Sequence, residues 1–271
     1  MIARAADNIR LYGKYAGISI RGQLQYPASF VMQSIGGLLI TGIEFLAIAA
    51  LFARFGSLAG WTLGEMAVFY GMITIAFASC EAIMKGFDSM DALVKRGELD
   101  RILLRPRGTI LQILGYEFTL RRIGRFSQGF AVLLFGFFSV PVHFTVGRAI
   151  VLAAAFASCI LVFISLVIIH AALAFKTTET LEIINTTTYG GIETAQYPIS
   201  IYPQGLRRFF TFIVPLACAN YFPILFVLGK PDPLGSPPWL QAISPAAGLL
   251  FLLAGVAVWR AGIRRYSSTG S

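Results

Sequence analysis

The chain has 271 residues, of which 56% are hydrophobic and 13% charged, and its mean hydropathy is +0.73. Soluble domains carry about 25% charged residues, so this composition excludes an ordinary water-soluble globule and indicates a membrane protein. The net charge of +9 needs no nucleic acid to explain it: a nucleic-acid binder requires a basic face on a soluble domain, whereas membrane proteins gather Lys and Arg on their cytoplasmic side.

Residues 1–26 carry Arg4, Asp7, Arg10, Lys14 and Arg21 and hold no uninterrupted apolar stretch, so they do not read as a signal peptide. Ile2, Ile9, Leu11, Ile18, Ile20 and Leu24 alternate with the charges at loosely helical spacing. The pattern fits an amphipathic helix on the membrane surface, or a solvated arm. A crossing helix needs about 20 apolar residues, and the next segment, 28–84, holds two such runs, 28–52 and 63–84. Glu44 lies near the middle of the first run, where a carboxylate costs about 2.5–3.5 kcal/mol on insertion scales. It is either a pathway residue or an interhelical hydrogen-bonder. Gly36 and Gly37 are candidates for close helix packing. Glu81, at the end of the second run, has Lys85 one turn later, the spacing of a local ion pair.

Residues 85–125 form a charged connection. Within it "VKRGELDRILLRPRG", 94–108, sets Arg96, Glu98, Asp100 and Arg101 among Leu93, Leu99, Leu103 and Leu104. The spacing predicts a short helix with apolar anchors and orienting charges, broken at Gly97 and ended by Pro106. Such an element suits docking into a partner; the alternative is a solvated loop that obeys the positive-inside rule. Two more runs, 126–146 and 149–175, fill the segment 126–175, and 245–261 is a short final one before the tail, 262–271.

The region 177–229 admits two readings. Hydropathy prefers 209–229 as the fifth span, but that helix would contain Pro215, Asn220 and Pro223, and an interior proline costs about 3 kcal/mol. The other reading makes 178–196 the span. Glu182, Thr186 and Glu193 then share one helical face able to line a wet cavity. In that case 197–244, with Pro198, Pro203, Pro215 and Pro223, holds an outer loop and a broken re-entrant segment, which is tolerable only where protein or a cavity surrounds it.

Basic residues set the expected orientation. Four Lys or Arg lie in the N-terminal arm, nine in 85–125 and three from Arg260 onward, against Arg54, Arg148 and Lys230 in the alternate connections. Both termini and the charged block are thereby expected in the cytoplasm, which requires an even number of crossings, six in either reading.

The sequence contains no G-x-x-x-x-G-K-[ST], no G-x-S-x-G and no H-E-x-x-H. It offers no catalytic site, and it is not expected to hydrolyse nucleotide or to bind a cofactor itself. His143 and His170 lack neighbouring ligands at metal spacing, and Cys80, Cys159 and Cys218 are widely separated apolar fillers.

"RGELDRILLRPRG", placed between the second and third runs, resembles the coupling segment of ABC-2 type ABC transporter permeases. Their G-x-L-[DE]-x-L-L-x-x-P pattern is met by Gly97, Leu99, Asp100, Leu103 and Pro106, with Ile102 at the first of the paired leucine positions and Leu104 beside it. The tail "WRAGIRRYSSTGS" and "TYGGIETAQYPISIYPQGLRRFFTFIVPLA" resemble one bacterial branch of that family. The resemblance implies an all-α permease with six transmembrane helices, an N-terminal interface helix, a coupling helix and a re-entrant hairpin before the last span. It therefore favours 178–196 as the fifth span. It also implies an exporter of the bacterial inner membrane, built from two permease subunits, identical or related, over two ATPase subunits that hold ATP and Mg. The competing reading is a self-sufficient channel, secondary carrier or membrane-embedded enzyme; carriers often show internal repeats, and none is visible.

Overall fold

The computed structural model describes residues 2–173 and 181–266, leaving aside the side chains of 2–6, 9, 91, 92, 95 and 181–186. Among the described residues every regular element is helical. α1 (Ile2–Leu24) leads through a tight turn at Gln25 and Tyr26 into α2 (Pro27–Phe55). Pro27 occupies the first position of α2, where its missing N–H costs nothing and its fixed φ suits the helix. α3 (Leu63–Met84) starts in a reciprocal cap: the Thr62 hydroxyl accepts from the Glu65 amide, and the Glu65 carboxylate accepts from the Thr62 amide.

α3 is the central helix, buried along most of its length. α7 (Ile123–Ser139) lies antiparallel against it, and both backbones approach closely because small residues recur every seven positions. A Cβ on Gly71 would lie 2.6 Å from the Leu133 amide nitrogen, and one on Gly136 would lie 2.8 Å from the Val68 amide nitrogen. Gly64 and Gly129 continue the two rows. Gly36 and Gly37, by contrast, have no such close neighbours; α2 is approached instead at Gly124 of α7, which packs directly on the Ser34 carbonyl. On the other side of α3 stand α8 (Val146–Leu173) and α13 (Ala246–Arg265). These two run parallel, because Gly248 packs on Ser158 and Gly255 on Ser165, whose hydroxyl donates to the Phe251 carbonyl at 2.8 Å.

Among the described residues four helices are long and apolar enough to cross a membrane: Pro27–Phe55, Leu63–Ser89, Val146–Leu173 and Ala246–Arg265. α7 is apolar but has 17 residues, about 26 Å at 1.5 Å per residue. The sequence suggests a run to 146, yet the helix stops at Ser139 because Val140 precedes Pro141 and adopts an extended backbone. α9 (Leu181–Ala195) packs on α3 and α8. Beyond it a helical pair, Gln204–Ile213 and Ala217–Leu228, bends by 81°. The pair begins with α10 (Gln204–Arg208) and ends with α11 (Phe222–Leu228), and α12 (Pro238–Ile243) precedes α13.

The Lys- and Arg-rich segment gathers at one end of the bundle, the charged end. After α3 the chain tightens into a 3-10 turn, Lys85–Ser89, and then forms α4 (Met90–Lys95), α5 (Glu98–Leu103) and α6 (Thr109–Leu114). α1 folds beneath this end. The Gln23 amide donates to the Phe118 carbonyl and its oxygen accepts from the Leu120 amide, while Asp7 pairs with Arg107.

Candidate functional site

At the charged end, α4 and α5 are separated by Gly97, which sits at φ +66°. That left-handed conformation favours glycine and lets the two short helices change direction. Leu93 and Leu99 point into the chain's own core, with Leu99 0% exposed. They are therefore not surface anchors as the apolar spacing suggests; Ile102 and Ile113 are buried with them. Gly97, Glu98, Asp100 and Leu103 are half-buried, whereas Arg96 and Arg101 are exposed and Leu104 is 86% exposed. The outward apolar group of the block is Leu104, and its sequence neighbours Arg101, Arg105 and Arg107 are exposed as well.

The block is bolted to the bundle. Gly86 packs directly on the Ile113 carbonyl. The Trp259 indole of α13 donates to the Thr109 hydroxyl at 3.3 Å and meets Phe87 edge-on at 5.5 Å. Just past α13, burial and the adjacent Asp100 carboxylate push the Tyr266 phenol above its ordinary range.

A second polar cluster lies at mid-depth. Glu44 on α2 and Glu193 on α9 line one small cavity together with Thr41, Thr74, Arg125 and Gln196. The Tyr70 hydroxyl donates to the Thr41 carbonyl at 2.8 Å and stands 3.4 Å from Glu44, the edge of hydrogen-bond range. Both carboxylates are exposed on the same open side. The side chains of Glu182 and Thr186 lie outside the described residues. Arg125 connects this cavity with the charged end. Its guanidinium donates to Glu81 at 3.0 Å, beside Arg122 at 2.9 Å from the same carboxylate, and stacks over Phe77. Glu81 thus pairs with α7 and not with Lys85, because the chain tightens after Met84 and turns Lys85 toward Asp88 at 2.9 Å. Among the described residues no three His, Cys, Asp or Glu side chains converge as a metal site would require.

Pro215 is buried in the bend, whereas Pro223 lies inside the helix Ala217–Leu228, directly after its π-helical turn Ala217–Tyr221, where the wider backbone spacing accommodates it. Pro198 is buried just past α9 and Pro203 is exposed just before α10. At the bend, Leu216 and Phe210 press on Gly191, at 2.9 and 3.3 Å from where its Cβ would be, and the Asn220 amide donates to the Ala195 carbonyl at 2.7 Å. At the far end Lys230 lies 2.8 Å from both Glu65 oxygens, donates to the Gly60 carbonyl at 2.9 Å, and sits 4.0 Å over the Trp61 ring. Composition gives no sign of this lock, since its partners are 165 and 170 residues apart.

A family described as ABC-2 family transporter protein matches residues 38–270. The chain belongs to the ABC-2 transporter family. The match covers the charged block, Glu44, Glu193 and the bent pair, and leaves out α1 and the start of α2. No curated protein and no solved structure matches the chain. Its ABC-2 membership makes it a membrane transport component, with several apolar helices long enough to span.

Proposed function

We propose that the chain is the permease subunit of an ATP-binding cassette exporter in a bacterial inner membrane. It pairs there with a second permease, identical or related, and is driven by two separate ATPase subunits that hold ATP and Mg. The carrying observation is the charged block, which is packed against α3 and α13 yet presents Leu104 and the exposed Arg101, Arg105 and Arg107 outward. A mounted knob of this kind passes a push from a docked ATPase to the helix ends instead of absorbing it.

In this reading the charged end faces the cytoplasm, with both termini there and six crossings. α8 and α13 run parallel, so the chain between them crosses an odd number of times. That count fits α9 as the fifth span followed by a re-entrant pair. The bend at Pro215 lies at the level of Gly191, mid-bundle, while Lys230 returns to the far end beside Glu65, which supports the hairpin. Glu44 and Glu193 then line the pathway, on a side that lipid cannot cover cheaply and that the second permease would close.

The discriminating variants are Leu104→Asp and Leu99→Asp. Leu104→Asp is expected to keep the wild-type melting temperature and lose ATPase co-purification, because a charge replaces an interface anchor. Leu99→Asp is expected to destabilise the chain itself. Wild-type co-purification and ATPase stimulation in Leu104→Asp would sink the coupling role. The hairpin is tested with Gln204→Cys in a chain whose three native cysteines are replaced. An impermeant thiol reagent should label it from outside intact spheroplasts, and protection until lysis would place the loop in the cytoplasm.

A further inference from the structure

At the charged end, between α2 and the start of α7, lies a cavity of about 380 Å³ that the coupling role leaves unused. One wall is the side-chain-free surface of Gly36 and Gly37, and the other carries Lys85, Arg121, Arg122 and Arg125. The charge is not fully cancelled. A single carboxylate, Glu81, serves both Arg122 and Arg125, and Asp88 serves Lys85. Arg121 is exposed and makes no ion pair among the described residues. Glu117 is the one carboxylate on the lining. Four cations against Glu117, Glu81 and Asp88 leave the cavity net positive. The first turn of the 17-residue α7, from which Arg125 projects, adds the positive end of a helix dipole.

We propose that this cavity binds a phosphate group, that of an anionic lipid headgroup. Guanidinium forks match phosphate oxygens in pairs, and basic pockets between spanning helices at the cytoplasmic side take lipid headgroups. The place along α2 selects the lipid source. The cavity reaches from Gln33 to Ile40, and beyond it Ile40 and Ile43 are exposed apolar side chains along which an acyl chain can lie. An adjoining cavity of about 320 Å³ shares Glu117 and Arg121 and extends toward Ser19 and Tyr26, giving the rest of a headgroup room. The glycines leave the space: a Cβ on Gly36 meets nothing within 4 Å. The inference depends on α2 spanning the membrane and not on the ATPase partners, so failure of the coupling test leaves it standing.

The test uses the purified full-length chain in a non-ionic detergent, with bound molecules counted by native mass spectrometry. The probes are phosphatidylglycerol, phosphatidylcholine and inorganic phosphate. One saturable phosphatidylglycerol per chain is expected, bound well ahead of phosphatidylcholine. Arg121→Gln should weaken it roughly fivefold, the loss of one headgroup-facing cation. Gly36→Phe, which fills the cavity without touching a charge, should weaken it at least as much, while Arg264→Gln in the tail leaves it unchanged. Saturation by inorganic phosphate alone would keep the anion site and assign its ligand to solution. Equal retention of both lipids with no phosphate binding would overturn the proposal. So would an equal loss in Arg264→Gln, or wild-type binding in Gly36→Phe; should that variant fail to fold, Arg121→Gln alone decides.

Discussion

Replacing Gly71 with Ala puts one methyl group where α3 and α7 touch. Its Cβ would stand 2.6 Å from the Leu133 amide nitrogen and 2.7 Å from the Leu133 Cα. Ordinary contact begins at 3.4 Å, so the helices must separate by about 0.8 Å. The clashing atoms are backbone and cannot rotate aside, and the separation would propagate along the row through Gly64, Gly129 and Gly136. Overpacking of this kind costs about 1–3 kcal/mol, and the better helix propensity of Ala returns up to about 1 kcal/mol. The net loss is about 1–2 kcal/mol, or roughly 2–8 °C in melting temperature for a chain of this size. Gly36→Ala is the matched control: with nothing within 4 Å it receives the propensity gain alone and should melt at or slightly above wild type. Both are read by thermal denaturation of the purified chain in one detergent. Equal melting temperatures for the two variants would refute the close-packed α3–α7 contact.

Lys230→Met leaves Glu65 mostly buried without its cation. The Thr62 amide and hydroxyl still donate to it, so the loss should fall near 3 kcal/mol, the low end for a broken buried pair. Adding Glu65→Gln should recover part of that loss in a double-mutant cycle of melting temperatures, whereas additive losses would show the two groups uncoupled. Gly97→Ala forces a side chain into φ +66°, costing about 1–2 kcal/mol; protease cleavage next to Arg96 and Arg101 should accelerate, and an unchanged digestion pattern would mean the turn is not constrained. Leu99→Ala empties a fully buried site and should cost about 2–5 kcal/mol, while Leu104→Ala, on the surface, should stay within about 0.5 kcal/mol of wild type; denaturation of both variants checks the order.

Helix ends are legible in the sequence where local chemistry decides them. Thr62 and Glu65 mark the start of α3 as a capping pair, Pro27 opens α2, and Pro141 ends α7 earlier than hydropathy alone suggests. The packing rows were also written in the sequence, as glycines seven apart at 64 and 71, 129 and 136, and 248 and 255. Gly36 and Gly37 stand out as adjacent glycines, but the close approach of α2 and α7 is set by Gly124, which packs on the Ser34 carbonyl. What could not be read was which helix each small face would meet. The partners of Gly71 and Gly255 lie 62 and 90 residues away in the chain, at Leu133 and Ser165.

The same distinction separates what was visible of the site. The charge and leucine spacing of 94–108 is that expected of a docking element, but it cannot say which leucine faces outward, because Gly97 resets the helical phase between Leu93 and Leu99. Burial there is decided by α6, which packs on the preceding turn, and by α13, whose Trp259 meets Phe87 and Thr109; both arrive from elsewhere in the sequence. Glu44 and Glu193 were recognisable one at a time, as carboxylates in apolar helices. Only the fold puts them on one cavity with Arg125 and leaves both open on the same side. A carboxylate at that depth is too costly against lipid, so a single copy of this chain leaves its own polar cluster unfinished. In the pairing proposed above, the second permease would supply the missing wall. In the proposed coupling, a force applied at Leu104 would pass through α5, α4 and the 3-10 turn Lys85–Ser89 before it reaches α3, which carries Tyr70 and Thr74 of that cluster.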